Sequence, residues 1–202
     1  MPDHFALLDE RRSPWLEPDA LKQKFIARSS RVHPDRVHNA SPAEKLAAQA
    51  RYTELNAAYT SLREPKDCLR HFLELETGAK PKDVQIIPQP LMDQFSSIGQ
   101  VCREADSLLA QKAAVTSPLL QVQLFEQGQA HSEKLAALKL SVNGWREKLM
   151  DELKQISRRW RSPSSQPGRE KTLQRLEEIY CLLSYYGRWD AQLQERIVQL
   201  AL

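Results

Sequence analysis

Between residues 91 and 112, Leu91, Phe95, Ile98, Cys102, Ala105, Leu109 and Lys112 follow one another at alternating steps of four and three. A strand places every second residue on one face and cannot gather this set; an α-helix gathers it on a single seam. A second seam runs through Leu135, Leu138, Val142, Trp145 and Leu149, then less regularly to Ile156 and Trp160. A third occupies about 169–201, with Leu173, Leu176, Tyr180, Leu183, Leu193, Ile197 and Leu200. One helix cannot bury its own stripe, so residues 91–202 predict a three-helix bundle. Thr116-Ser117-Pro118 ends the first helix, and the start of the second stays open within 116–132. "RSPSSQPG" (161–168) reads as a flexible turn before the third.

The first third is helical by a different grammar of short segments. "DHFALLDE" (3–10) predicts a short helix capped by Asp3, and "RRSPWLEP" (11–18) a loop. Asp19 to Val32 predicts a helix with Leu21, Phe25 and Val32 on one face and a basic set of Lys22, Lys24, Arg28 and Arg31. The turn formers of "HPDRVHNASP" follow, and Pro34 disfavours a helical His33. Ser41-Pro42-Ala43-Glu44 then supplies a cap, an N1 proline and a Glu at N3, opening a helix with Leu55, Tyr59 and Leu62 on one stripe. "EP" (64–65) breaks it, and 66–75 forms one more short helix. The expected organisation is all-α: a helical unit over 1–75, a Pro-rich linker over 76–90, and the bundle over 91–202.

Composition narrows the function classes. With only 6 Gly and 7% aromatic residues the chain favours helices over sheets, and a net charge of +3 is too mild to predict nucleic-acid binding. No apolar run approaches the roughly 20 residues of a membrane span, and the first ten residues carry no signal-peptide pattern. Cys68, Cys102 and Cys181 stand apart without CxxC spacing, as reduced thiols of a cytoplasmic protein would. His38, Cys68 and His71 match no common zinc spacing, so no metal and no cofactor is expected.

"RVHPDRV" (31–37) is the stretch that carries chemistry. His33 and Asp35 read either as an acid–base pair of this chain or as groups presented outward to a partner. A general base needs an orienting partner and a substrate pocket, and a polar loop with a rigid proline offers neither. No catalytic residue is therefore assigned, and the chain is not expected to be an enzyme. Phe5, Leu8, Leu21 and Phe25, then "VHPDR", then "LNAAYTSLREP" (55–65), together resemble a J domain, the co-chaperone module that stimulates a DnaK-type ATPase. The resemblance implies that His33, Pro34 and Asp35 dock beside the chaperone's nucleotide-binding domain while the chaperone performs the hydrolysis. Lys22, Lys24, Arg28, Arg31 and Arg36 would complement an acidic chaperone face. The family usually carries leucine where this chain has Arg28. Either that arginine lays its stem along the core edge, or the domain packs differently.

"CLRHFLELETG" (68–78) and "PLMDQF" (90–95) extend the resemblance along the whole chain to HscB, the dedicated co-chaperone of iron–sulfur cluster assembly. That resemblance implies two protein partners, a DnaK/HscA-type ATPase chaperone and an IscU-type scaffold protein held by the bundle. Leu91, Met92 and Phe95 match the family's apolar scaffold-binding patch, and Tyr185 matches an aromatic on the last helix. On seam position, Leu91 and Phe95 serve equally well as core, while Met92 lies one step off the seam, at its edge. The acidic half of the family's patch is absent: Ser96, Gly99 and Arg103 stand there instead. The alternative is a J-domain protein whose altered bundle recognises a different client.

Overall fold

A computed structural model describes residues 2–37, 39–81, 91–160 and 168–201. Every regular element among them is helical: α1 His4–Leu7, α2 Pro18–Ser29, α3 Pro42–Arg63, α4 Pro65–Thr77, α5 Met92–Ala114, α6 Pro118–Trp160 and α7 Arg169–Ala201, with a 3-10 turn at Pro34–Val37. The all-α class expected from the seams is the one observed. No described helix is long and apolar enough to cross a membrane.

Local chemistry sets the boundaries. Pro18, Pro42, Pro65 and Pro118 each open a helix, where a missing N–H costs nothing because that donor has no partner in the first turn. Asp3 caps α1 by accepting from the backbone N–H groups of Phe5 and Ala6. Ser41 and Glu44 form the reciprocal box expected at the start of α3. α2 stops at Ser29, three residues before its expected end, because Ser29 and Ser30 turn their hydroxyls onto the Ile26 and Ala27 carbonyls and the backbone tightens. Gly78, left-handed at φ 75°, ends α4, and its N–H closes on the Glu74 carbonyl at 3.0 Å.

Contacts divide the molecule into two units, 1–82 with 151–180, and 83–150 with 181–202. This division runs through α6 and α7, whereas the division read from sequence runs through the linker. Of that linker, 82–90 lies outside the described residues, as does most of the turn expected at 161–168. In the first unit Phe5, Leu8, Leu21, Leu55, Ala58, Leu62, Leu69, Phe72 and Leu73 form the core. Phe25 stacks on Tyr59 at 4.3 Å. The end of α6 belongs here because Ser157 donates to the Trp15 carbonyl at 2.9 Å and Trp160 meets Phe72 edge-on at 5.1 Å. The start of α7 adds the pairs Arg169–Glu76 and Arg175–Glu152, the second a two-pronged clamp at 2.7 and 2.8 Å.

In the second unit α5 buries Ile98, Cys102, Ala105 and Leu108. Leu108 takes the inward place expected of Leu109, since a helix of 3.6 residues per turn drifts away from a strict heptad. From α6 come Leu124, Leu135, Val142 and Leu149, and from α7 Leu183, Tyr185, Tyr186, Trp189, Leu193 and Leu200. Trp145 and Tyr186 meet at 5.8 Å across α6 and α7, and Arg196 ties α7 to Asp106 of α5 at 2.8 Å. α6 begins at Pro118, so the segment left open over 116–132 is mostly helix.

Candidate functional site

The His33–Asp35 loop joins α2 to α3, two helices the core fixes as a hairpin. Arg36 donates its backbone N–H to the His33 carbonyl at 3.0 Å, closing the turn. The His33 Nδ1 accepts the Asp35 backbone N–H at 3.3 Å and lies 3.4 Å from the Asp35 carboxylate. An Nδ1 that accepts leaves the neutral ring's proton on Nε2, a donor available to another molecule. The Asp35 side chain is 90% exposed and that of His33 42%. Of Pro34 only the backbone is described, within the 3-10 turn.

Tyr52 of α3 meets the His33 imidazole edge-on at 5.1 Å, so the ring rests on a wall rather than swinging in water. Sequence reasoning passed over Tyr52. The signal was its place seven residues before Tyr59, which puts it on the face of α3 that packs toward α2.

Chemically, this arrangement presents groups and does not enclose a substrate. A general acid–base pair works in a site that excludes water and holds its reactant; here solvent reaches both partners. Among the described residues no three His, Cys, Asp or Glu side chains are grouped to hold a metal ion. His38 lies outside the described residues. Cys68 and His71 are buried core groups: the Cys68 thiol faces the Ser13 carbonyl at 3.7 Å, and the His71 Nε2 accepts the His4 backbone N–H at 3.1 Å.

The basic residues of α2 divide into two sets. Lys24 donates to the Asp9 carbonyl at 2.8 Å and pairs with Glu10 at 2.9 Å. Arg28 donates to the Leu7 carbonyl at 3.3 Å and pairs with Asp9 at 3.2 Å. Both clamp the turn after α1, where Asp9 adopts φ 57°, a left-handed conformation that Asp tolerates better than bulkier residues. Arg28, where the J-domain pattern has leucine, thus places its guanidinium on a backbone carbonyl and a carboxylate of that turn. Lys22, Arg31 and Arg36 are exposed.

In the second unit Met92 and Phe95 are 47% and 45% exposed, whereas Leu91 is 1% exposed. Phe95 therefore leaves the seam on which its spacing placed it, and Leu91 stays inside as core. Ser96 is exposed and Gly99 half-buried. The Arg103 guanidinium folds back to within 3.3 Å of where a Gly99 side chain would begin. Tyr185 is buried, 6.0 Å from Trp189 and under the Arg188 guanidinium at 4.8 Å.

No protein-family model matches the chain. Over 72 residues it is 39% identical to a protein of Bordetella pertussis named co-chaperone protein HscB homolog, and 36% identical to one of Bordetella petrii with the same name. These matches span 36% of this chain and 42% of each relative's own length. Among solved structures, the chaperone HscB from Vibrio cholerae superposes with a TM-score of 0.61, covering 98% of this chain and 99% of that one at 18% identity. The fold is thus shared over nearly the whole length, and the sequence likeness over about a third of it. The structural likeness is one of fold, and the sequence likeness is to proteins named as HscB homologues over part of their length, in agreement with the motifs.

Proposed function

We propose that the chain is a co-chaperone of iron–sulfur cluster assembly. The His33–Asp35 loop would dock on a DnaK/HscA-type chaperone and trigger its ATP hydrolysis, while the bundle delivers an IscU-type scaffold protein. The observation that carries this reading is the loop itself: a donor-bearing imidazole seated on Tyr52 and a 90% exposed carboxylate, raised on the tip of a helical hairpin. Such a pair suits charge-assisted hydrogen bonds to a partner's cations and donors. Lys22, Arg31 and Arg36 would steer the encounter, whereas Lys24 and Arg28 are engaged within the domain and act by holding its first turn. On this reading the chain supplies no catalytic group. Activation is a coupling free energy between two binding events on the chaperone, and the reaction takes place there.

On the client side, Met92 and Phe95 would form the apolar contact, with Leu91 supporting them from within. Arg103 in place of an acid supports a second reading, a bundle adapted to a different client. The test is ATP turnover by an HscA-type chaperone, measured with this protein alone, with an IscU-type scaffold alone and with both. Stimulation by both together beyond the sum of the two is the expected result. Stimulation by the protein with no further gain from the scaffold would favour the different client. No stimulation at all would dismiss the co-chaperone reading.

A further inference from the structure

Arg103, eleven residues past Met92 and on the same stripe of α5, lines an open groove of about 540 Å³ between α5 and α6. Its walls carry Arg103, Glu104 and Ser107 from α5, and Gln127, His131 and Lys134 from α6, all inside one compact unit. Two of these groups are fixed cations. Neither Arg103 nor Lys134 makes an ion pair among the described residues. The groove's one carboxylate, Glu104, already accepts from the Gln100 amide at 3.1 Å. The His131 Nδ1 is enclosed and has no hydrogen-bond partner. The Arg103 guanidinium lies 3.3 Å from where a Gly99 side chain would begin.

We infer that this groove binds an acidic, partly apolar segment of a partner protein. The inference rests on the reading that the bundle holds a protein client, and it names the chemistry of that client. Apolar side chains of the segment cover Met92 and Phe95. Its carboxylates pair with Arg103, eleven residues past Met92 on α5, and with Lys134, and Gln127 and Ser107 of the groove hydrogen-bond its backbone. Eleven residues of helix span about 16 Å, the length of some three helical turns or five extended residues of a ligand. Charge complementarity decides the sign. Two cations against one carboxylate leave the groove lining with an excess positive charge, which disfavours a basic segment and favours an acidic one.

Three fluorescent peptides of about twelve residues test this, each with Leu and Phe at fixed places and Glu, Gln or Lys at the others. Anisotropy titrations use the full chain, wild type and the R103E/K134E double variant. The wild type is expected to prefer the Glu peptide to the Lys peptide by at least about tenfold, with a preference that shrinks as salt is added. R103E/K134E, whose substitutions lie at the solvent edge of the groove and whose melting curve checks folding, is expected to invert the order. Equal binding of the Glu and Lys peptides, no binding of the Glu peptide, or an unchanged order in the double variant would each overturn the inference. A parallel titration with an IscU-type scaffold keeps the two claims apart. If the scaffold fails to bind while the Glu peptide binds and the order inverts, the groove stands and the scaffold reading falls. If the scaffold binds equally well to both proteins while the peptides fail, the reverse holds.

Discussion

His71 sits at 1% exposure where α4 packs on α1, stacked 4.3 Å from the His4 ring. Its Nε2 lone pair is spent on the His4 backbone N–H, and protonation would replace that acceptor with a second donor. Burial, with the neighbouring His4 adding to it, holds its pKa down from 6.5 to about 4. Around it stand Asp3, His4, Arg12, Arg70 and Glu74; the Asp3 charge works the other way and the two arginines reinforce the depression. The unfolded chain takes up the proton first as pH falls below 6.5, so His71 favours the folded state fully above that value. Its contribution is lost progressively as pH falls from 6.5 and is gone once pH has fallen through 4. At about 1.4 kcal/mol per unit, the whole loss is about 3 kcal/mol, of which about 2 kcal/mol falls between pH 7 and pH 5. His71→Gln keeps an acceptor for the His4 N–H and removes the titration. Urea unfolding at pH 7, 6 and 5, followed by tryptophan fluorescence, measures the difference, since Trp15 and Trp160 lie in the same unit. His4, also shifted down by burial, is present in both proteins. The wild type is expected to lose about 2 kcal/mol more than His71→Gln over this range. Parallel pH dependence of the two proteins would refute the account of the buried imidazole.

Three further outcomes follow from the same geometry. Ser41→Ala removes the capping box of α3 and is expected to cost about 1 kcal/mol in urea unfolding, with faster amide exchange in the first turn of α3. Arg28→Leu exchanges an internal tether for the residue usual in J domains. Its partner Asp9 is 77% exposed, so stability should change by no more than about 1 kcal/mol and chaperone activation by no more than about twofold. A tenfold loss of activation would instead make Arg28 a contact residue. Gly99→Ala meets only the movable end of Arg103, and thermal unfolding should show a gain of about 0.5–1 kcal/mol.

What the sequence discloses is what local chemistry decides. Asp3, Ser41 with Glu44, and the helix-opening prolines satisfy or spare backbone donors within a few residues of themselves, so their roles are readable without the fold. The loop at His33–Asp35 is readable for the same reason. The wall behind it is not, because Tyr52 reaches His33 through the packing of α3 on α2. The start of α6 was illegible for a different reason. Leu119, Leu120, Val122 and Phe125 are all exposed there, so the apolar residues do not mark the buried face that Leu124 and Gly128 occupy. His71 offered a histidine at no metal spacing, and only its burial against His4 gives it a role. The groove of Arg103, His131 and Lys134 joins residues some thirty apart in sequence on antiparallel helices, which no spacing within one helix displays.

The account turns on Asp35, and single-turnover ATP hydrolysis by an HscA-type chaperone addresses it most directly. Asp35→Asn removes a charge from a 90% exposed side chain, so the melting temperature should stay within about 2 °C of the wild type. Stimulation of hydrolysis should fall to the level of the chaperone alone, while scaffold binding by the bundle persists. Full stimulation by a folded Asp35→Asn protein would contradict the role assigned to the loop.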